Sequence, residues 1–173
     1  LESRQNNTDT EWMLTKNSLS RALTQLNVPP EIDLFASRLN AQFTRYVAYR
    51  PDPGAVAIDA FSLDWSTLIF YAFPPFSVIP AVLKKIRDDK ATGVCVLPNW
   101  PTQAWFPLAM KMATCESVHL WTDKYLLHLP SRPTHYTRNS PSWFVSYQAN
   151  PNRSRHLYKG QGHHNGFLAY RNY

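Results

Sequence analysis

The residues able to do chemistry in this chain are few, and most stand beside prolines and aromatic rings. Tyr71-Ala72-Phe73-Pro74-Pro75-Phe76 follows an apolar run, Leu68-Ile69-Phe70, and precedes a segment in which Ile79, Val82, Leu83 and Ile86 recur at helical spacing. The pattern predicts a buried strand, a rigid turn and a helix capped by Ser77. Two consecutive prolines fix φ twice and remove two donors, so the backbone must leave the sheet there. A rigid bend at the carboxyl end of a strand is where open α/β sheets take ligands. The same six residues also describe a stiff strand-to-helix connection without chemistry.

Three further stretches are expected at the same edge of a sheet: Asp33 to Ser37, Asp59 to Ser62, and Pro98 to Trp105. The carboxylates of Asp33 and Asp59 suit the hydroxyls or amines of a nucleoside, although each also suits a cap or a turn. Ala36-Ser37 supplies small residues where a chain passes close to a ligand. A ring placed after two prolines can stack on a base drawn out of a duplex, and Trp100 and Trp105 are candidates for contact with nucleic acid. Other chemistries lack their residues. There is no G-x-G-x-x-G or Walker-type loop and no G-x-S-x-G elbow. His119 is the one histidine in residues 1–123, which leaves no ordinary triad, and His156, His163 and His164 have no cysteines at metal spacing. No metal is expected.

The elements that must position these groups follow from periodicity and punctuation. Leu19, Ala22, Leu23 and Leu26 fall on one helical face between Thr15 and Asn27, and Pro29-Pro30 ends that helix. Strands are expected at Glu31–Phe35, at Tyr46–Tyr49, ahead of the double proline, at Val94–Leu97 and at Ser117–Trp121. Helices are expected at about Val78–Lys90 and at Trp105–Ala113, with Pro107 in a first turn. Pro51-Asp52-Pro53-Gly54 is the clearest turn. Helical crossovers between apolar strands imply an α/β fold, with a mostly parallel sheet and helices on both faces.

Charge divides the chain sharply. Residues 1–123 hold 11 Lys and Arg against 12 Asp and Glu, whereas residues 124–173 hold 7 Lys and Arg and no acid. The net +6 therefore belongs to the last fifty residues. Pro130, Pro133, Pro141 and Pro151 interrupt that segment, so residues 130–173 are expected to be a disordered basic tail: a solvated end or a nucleic-acid-binding arm. Residues 1–11 are expected to be a linker, and residues 12–129 the folded domain. No apolar run is long enough to span a membrane. Cys95 and Cys115 lack metal spacing, so a reduced, intracellular setting is expected.

Several of these stretches together resemble a known family. They are Glu11-Trp12-Met13-Leu14, Ile32-Asp33-Leu34-Phe35-Ala36-Ser37-Arg38-Leu39-Asn40, Pro51-Asp52-Pro53, Asp59-Ala60-Phe61, Asp64-Trp65, Phe73-Pro74-Pro75-Phe76 and Pro98-Asn99-Trp100-Pro101-Thr102-Gln103-Ala104-Trp105-Phe106. In order and spacing, from about Leu1 to Trp121, they resemble the segment after reverse transcriptase and RNase H in DIRS-type, tyrosine-recombinase retrotransposon polyproteins. That segment is similar to phage Dam-type adenine methyltransferases. Leu1-Glu2-Ser3-Arg4 resembles the end of an RNase H module, implying a piece of a longer polyprotein with those domains as partners.

The resemblance implies a Rossmann-like fold, S-adenosylmethionine as cofactor and DNA or RNA as partner. It implies a cofactor side at Asp33, Phe35, Ala36, Asn40 and Asp59. The Asp/Asn-Pro-Pro-Tyr/Phe motif falls on Phe73, Pro74, Pro75 and Phe76, with phenylalanine where the family has its polar residue. In the enzymes that residue accepts a hydrogen bond from the amine being methylated, and phenylalanine has no acceptor. A weak or inactive enzyme is expected. The alternatives are a non-enzymatic nucleic-acid-binding module of reverse transcription and the product of a decayed element.

Overall fold

The structure is a computed structural model that describes residues 12–114, 117–120, 126–130, 132–136 and 143–149. Chain order runs β1 (Met13–Leu14), α1 (Lys16–Leu26), β2 (Ile32–Asp33), β3 (Val47–Ala48), β4 (Ala57–Ile58), β5 (Ile69–Ala72), α2 (Ile79–Asp88), β6 (Thr92–Pro98), α3 (Phe106–Met112), β7 (Val118–Leu120), β8 (Leu127–Leu129), β9 (Arg132–Tyr136) and β10 (Trp143–Ala149). Short 3-10 turns at Ala60–Ser62, Trp65–Thr67 and Phe76–Val78 link them.

The main sheet has the strand order β2-β5-β6-β10-β7. β2, β5 and β6 are mutually parallel. β10 runs antiparallel to both β6 and β7, so β7 points the same way as β6. β3 and β4 form a parallel pair that joins β2 through a parallel bridge between Asp33 and Tyr46. Asp33 N–H donates to the Arg45 carbonyl at 3.0 Å and Ala36 N–H to the Val47 carbonyl at 3.1 Å across that joint. From one edge to the other the strands therefore succeed one another as β4, β3, β2, β5, β6, β10, β7, and β10 alone opposes the rest. β1, β8 and β9 make a separate antiparallel sheet.

Strand alternation splits the core into two layers. Phe70 and Ala72 of β5 and Cys95 and Leu97 of β6 pack with Ile79, Val82, Leu83 and Ile86 of α2 and with Ala109 and Met112 of α3. Tyr71, Val94 and Val96 face the other way, onto Leu19, Ala22 and Leu26 of α1. Helices thus cover both faces, and β6 is buried at every position, the pattern its continuous apolar run requires. Trp65 is fully buried and donates its indole N–H to the Ala60 carbonyl at 2.8 Å. Asn27, at φ 53, ends α1 in the left-handed conformation, just ahead of the two prolines.

Two expectations change. Ser77 does not cap α2: the 3-10 turn Phe76–Val78 intervenes, with Val78 N–H on the Pro75 carbonyl at 3.1 Å, and Val78 is the cap residue without a side-chain bond. The fixed φ of the second proline starts the turn before the serine can. The segment expected to be disordered also contributes β9 and β10, and β10 runs along the whole of β6, from Trp143 opposite Pro98 to Ala149 opposite Thr92. Pro141 precedes this strand and does not interrupt it, and Trp143-Phe144-Val145-Ser146-Tyr147 is rich in aromatic and β-branched residues. Residues 1–11 and 150–173 lie outside the described residues. Among the described residues no helix is long and apolar enough to cross a membrane.

Gly93 shows how tightly β5 and β6 are fitted. A Cβ there would stand 2.4 Å from the Phe70 carbonyl oxygen and 2.5 Å from its ring. The backbone of β5 cannot give way without loosening the parallel ladder. Gly93→Ala is expected to cost about 2 kcal/mol or more, the upper part of the usual overpacking range. Urea unfolding of the two chains measures it, and a loss below about 0.5 kcal/mol, the range of an ordinary surface substitution, would show that the strands are not in this register.

Candidate functional site

In a set of strands running one way, the carboxyl ends of β2, β3, β4, β5, β6 and β7 lie along one edge. That edge collects the residues singled out from the sequence: the loop after Asp33, Asp59 after β4, the Phe73–Phe76 bend after β5 and Asn99-Trp100 after β6. They share an edge without all sharing a space. β3 lies between β2 and β4, so the ends carrying Asp33 and Asp59 are two strand spacings apart, about 10 Å.

Asp33 is buried, 2% exposed, and its carboxylate is turned inward. Oδ1 accepts from Phe35 N–H at 3.3 Å and Oδ2 from Gln42 N–H at 3.1 Å, so one side chain fixes both ends of the loop after β2. Burial pushes its pKa up to about 7, against a partial lowering by the two amide donors. Tyr71, paired with Asp33 across β2 and β5, has a buried hydroxyl without a hydrogen-bond partner among the described residues. Burial, and then the neighbouring Asp33 and Cys95, raise its pKa well above the ordinary phenol.

Asn40 is buried too, and its carbonyl oxygen accepts from the Ser37 N–H at 2.7 Å and the Ser37 hydroxyl at 3.1 Å. Ala36 packs in a small cluster with Tyr46 and Ala48. Phe35 faces the α2 side, its ring 5.7 Å from Phe61 and 6.3 Å from Trp65, both edge-on. Asp33, Phe35, Ala36 and Asn40 shape the loop from within. Asp59 is different: it is exposed, takes φ 59, and its Oδ1 accepts from Phe61 N–H at 3.0 Å. Of the two aspartates, it is the one whose carboxylate meets solvent.

Past β5, Phe73 is half-buried against the α1-side core and Pro74 is buried. Phe76 is 40% exposed, and its ring meets Trp100 edge-on at 4.7 Å. The structure therefore joins two expected residues, Phe76 and Trp100, into one aromatic pair at the edge. Trp105 goes elsewhere. It is 8% exposed within the α2 and α3 layer, so its ring is a core element with no face to offer a nucleic acid. Its position just before the first turn of α3 drives it under the helix.

No family model matches this chain, and no curated protein matches it either.

Sequence reasoning overlooked Asp52 as more than a turn residue. Its Oδ2 accepts from Arg38 N–H at 3.0 Å, and its Oδ1 from Gly54 N–H at 3.1 Å and from the Tyr46 hydroxyl at 3.0 Å. The Arg38 amide bond is the largest influence holding its carboxyl below the usual range. The loop after β2 and the turn after β3 are thereby tied together. The Tyr46 partner could have been sought from the sequence, because a tyrosine six residues before the aspartate of a Pro-Asp-Pro turn is a natural phenol donor; the Arg38 amide could not. Among the described residues no group of three or more His, Cys, Asp or Glu is placed to hold a metal ion.

The state of Asp33 sets a pH dependence with a definite sign. Its folded pKa, about 7, lies above the ordinary 3.8. The folded chain then binds the proton more tightly than the unfolded chain, so this stabilisation is full below about pH 3.8 and is lost as pH rises to 7. The loss is at most about 4 kcal/mol. Asp33→Asn removes the ionisation but offers an amide to one of the two backbone donors. The variant is expected to be less stable than the parent at pH 5, with the gap closing by pH 8. Urea unfolding at the two pH values reads this difference, and a gap that stays constant would mean Asp33 does not titrate in this range.

Proposed function

We propose that residues 12–149 form a Rossmann-like domain of the Dam methyltransferase type, part of a DIRS-type retrotransposon polyprotein, that holds S-adenosylmethionine and is impaired in methyl transfer. The strand succession supports the Rossmann-like part of the reading, and the family and cofactor rest on the motif resemblance at Asp33–Asn40 and Phe73–Phe76. Leaving out the inserted β10, the order outward from β2 is β3 then β4 on one side and β5, β6 and β7 on the other. This is the order of doubly wound sheets, whose ligands sit where the succession reverses. Here that point lies between β2 and β5. The Asp33–Asn40 loop and the Phe73–Phe76 bend flank it.

The donor set suits the cofactor in part. Backbone at Ala36-Ser37 and the solvent-facing carboxylate of Asp59 are the groups that would hold it, with Asp33 and Asn40 fixing the loop. Bound there, S-adenosylmethionine would supply an electrophilic methyl group. What this chain brings to the acceptor is less complete. Phe76, backed by Trp100, offers a ring face for a base, and the peptide carbonyl of Phe73 is the acceptor the motif retains. The side chain at 73 cannot take a hydrogen bond from an amine, and the loss of one positioned polar partner costs orders of magnitude in rate. That favours as second reading a module that binds nucleic acid through the Phe76–Trp100 pair without catalysis.

Calorimetric titration with S-adenosylmethionine separates the two. Under the first reading heat appears in the micromolar range and falls at least tenfold in affinity in Asp59→Asn; no heat at high micromolar ligand removes the cofactor. Phe73→Asp is the complementary experiment once binding is established, with adenine methylation of DNA expected in the variant above the parent. Because Phe73 packs against the α1-side core, Phe73→Asn is made alongside it, and far-UV dichroism confirms that both are folded. A folded, cofactor-binding pair that stays silent would place the bend in some other geometry.

A further inference from the structure

One stretch of the carboxyl edge is not used by the cofactor reading. Arg38 and Leu39 follow β2, and Tyr49 and Arg50 follow β3; all four are exposed, Leu39 at 56% and Tyr49 at 80%. Val56 and Ile58, about half exposed, continue the apolar surface along β4. Beside them lies a shallow, open depression of about 610 Å³ lined by Pro51, Pro53, Ala55, Val56 and Ile58 among others. A run of exposed apolar side chains edged by charge marks a place of contact.

The two arginines are neighbours by construction. Asp52 accepts from the Arg38 N–H and stands two residues beyond Arg50. Its oxygens are already taken by the Arg38 and Gly54 amides and the Tyr46 hydroxyl. Neither guanidinium forms a close ion pair among the described residues, although the Arg38 charge helps hold the Asp52 carboxyl low, whereas Arg45, at the other end of β3, faces Glu31 at 3.7 Å. Asp59 is the nearby acid at the end of β4, and it caps its own turn. Two exposed arginines and an exposed aromatic ring on neighbouring loops match the chemistry of phosphate and base.

We propose that Arg38, Tyr49 and Arg50 form a binding surface for single-stranded nucleic acid, with phosphates on the arginines and an unstacked base on the Tyr49 ring. A base already stacked in a duplex has no free face for such a ring, so the surface selects single strands. The proposal deepens the nucleic-acid side of the reading above and rests on the same sheet edge, but it needs no cofactor.

Fluorescence anisotropy of a labelled oligothymidylate with the full chain, from about 50 to 200 mM salt, tests it. Tyr49→Ala is expected to weaken binding about tenfold with the salt slope unchanged, as loss of one stacked base does. Arg38→Ala with Arg50→Ala is expected to reduce the slope of log K against log salt by about 1.4, two phosphates' worth for a single strand. Arg45→Ala, on the opposite edge, should leave both quantities as they are. A labelled oligouridylate run in parallel shows whether DNA is preferred over RNA, and binding of either supports the surface. The proposal is overturned if the parent binds neither strand, if Arg45→Ala loses as much as the double variant, or if Tyr49→Ala and the double variant bind like the parent. A concentration-dependent dimer that Tyr49→Ala abolishes, with oligonucleotide affinity unchanged, would assign the surface to a second copy instead. S-adenosylmethionine titration of the same samples reports on the cofactor separately.

Discussion

The carboxyl group of Asp33 sits where three strands meet, and it is buried there. Its residue pairs with Tyr71 of β5 on one side and with Tyr46 beside β3 on the other, so the backbone at this point is committed in both directions. The side chain must then find its partners locally, and it finds them in the amides of Phe35 and Gln42. A buried carboxyl left without donors would cost more than the loop gains by closing. Here the cost is met by backbone amides that would otherwise be orphaned in a tight turn. The same transaction therefore satisfies two needs: the loop acquires a fixed path, and the buried acid acquires its hydrogen bonds. The penalty that remains is visible in its raised pKa.

Asp52 repeats the device in a wetter place. It holds the loop after β2 to the turn after β3, and with Tyr46 it closes the gap that a crossover helix would otherwise span. Parallel strands usually need about a dozen residues and a helix between them. β3 and β4 are joined by residues 49–56 alone, and among the described residues no helix packs on that pair. The consequence is a sheet whose β5 and β6 are sealed by helices on both faces, while its β3–β4 end leaves Tyr49, Val56 and Ile58 in solvent. Rigidity at the centre and exposure at one end follow from a single economy of chain.

How far this could be seen in the sequence depends on the range of each interaction. Amphipathic spacing disclosed α1 and α2 to within two residues, because their partners lie on the same turn of helix. The uninterrupted apolar run disclosed β6, and the paired prolines disclosed where β5 must stop. Strands of two or three residues such as β1, β4 and β8 carry no period to detect, since their pairing is decided by chain elsewhere. The carboxylates of Asp33 and Asp52 were legible as polar groups in apolar company, but their amide partners lie up to 14 residues away and depend on loop closure. Asp33 and Asn40 thus looked like ligand contacts and prove to be loop anchors. Trp105 shows the opposite limit: a tryptophan beside a proline turn reads as exposed until the helix after it is seen to fold over the ring. β10 was hidden by the prolines around it, which bound the strand and do not enter it.

If the proposed reading holds, the position of Phe73 explains how the fold outlasts the chemistry. The side chain there leaves β5 on the face shared with Ile69 and Tyr71, toward the α1 layer. A polar residue at that point must be held against an apolar neighbourhood to serve a reaction, a strained arrangement of the sort that lowers stability in exchange for rate. The aromatic ring present instead buries hydrocarbon against the α1 layer and offers no acceptor. Pro74, buried beneath the bend, keeps the turn rigid regardless of what stands before it. Phe76 remains exposed beside Trp100, because its placement depends on the prolines and not on residue 73. On the proposed reading, binding and catalysis at this edge are therefore separable by construction: the elements that shape the cleft are fixed by burial and by two cyclic residues, whereas the chemistry hung on one side chain that the fold did not require.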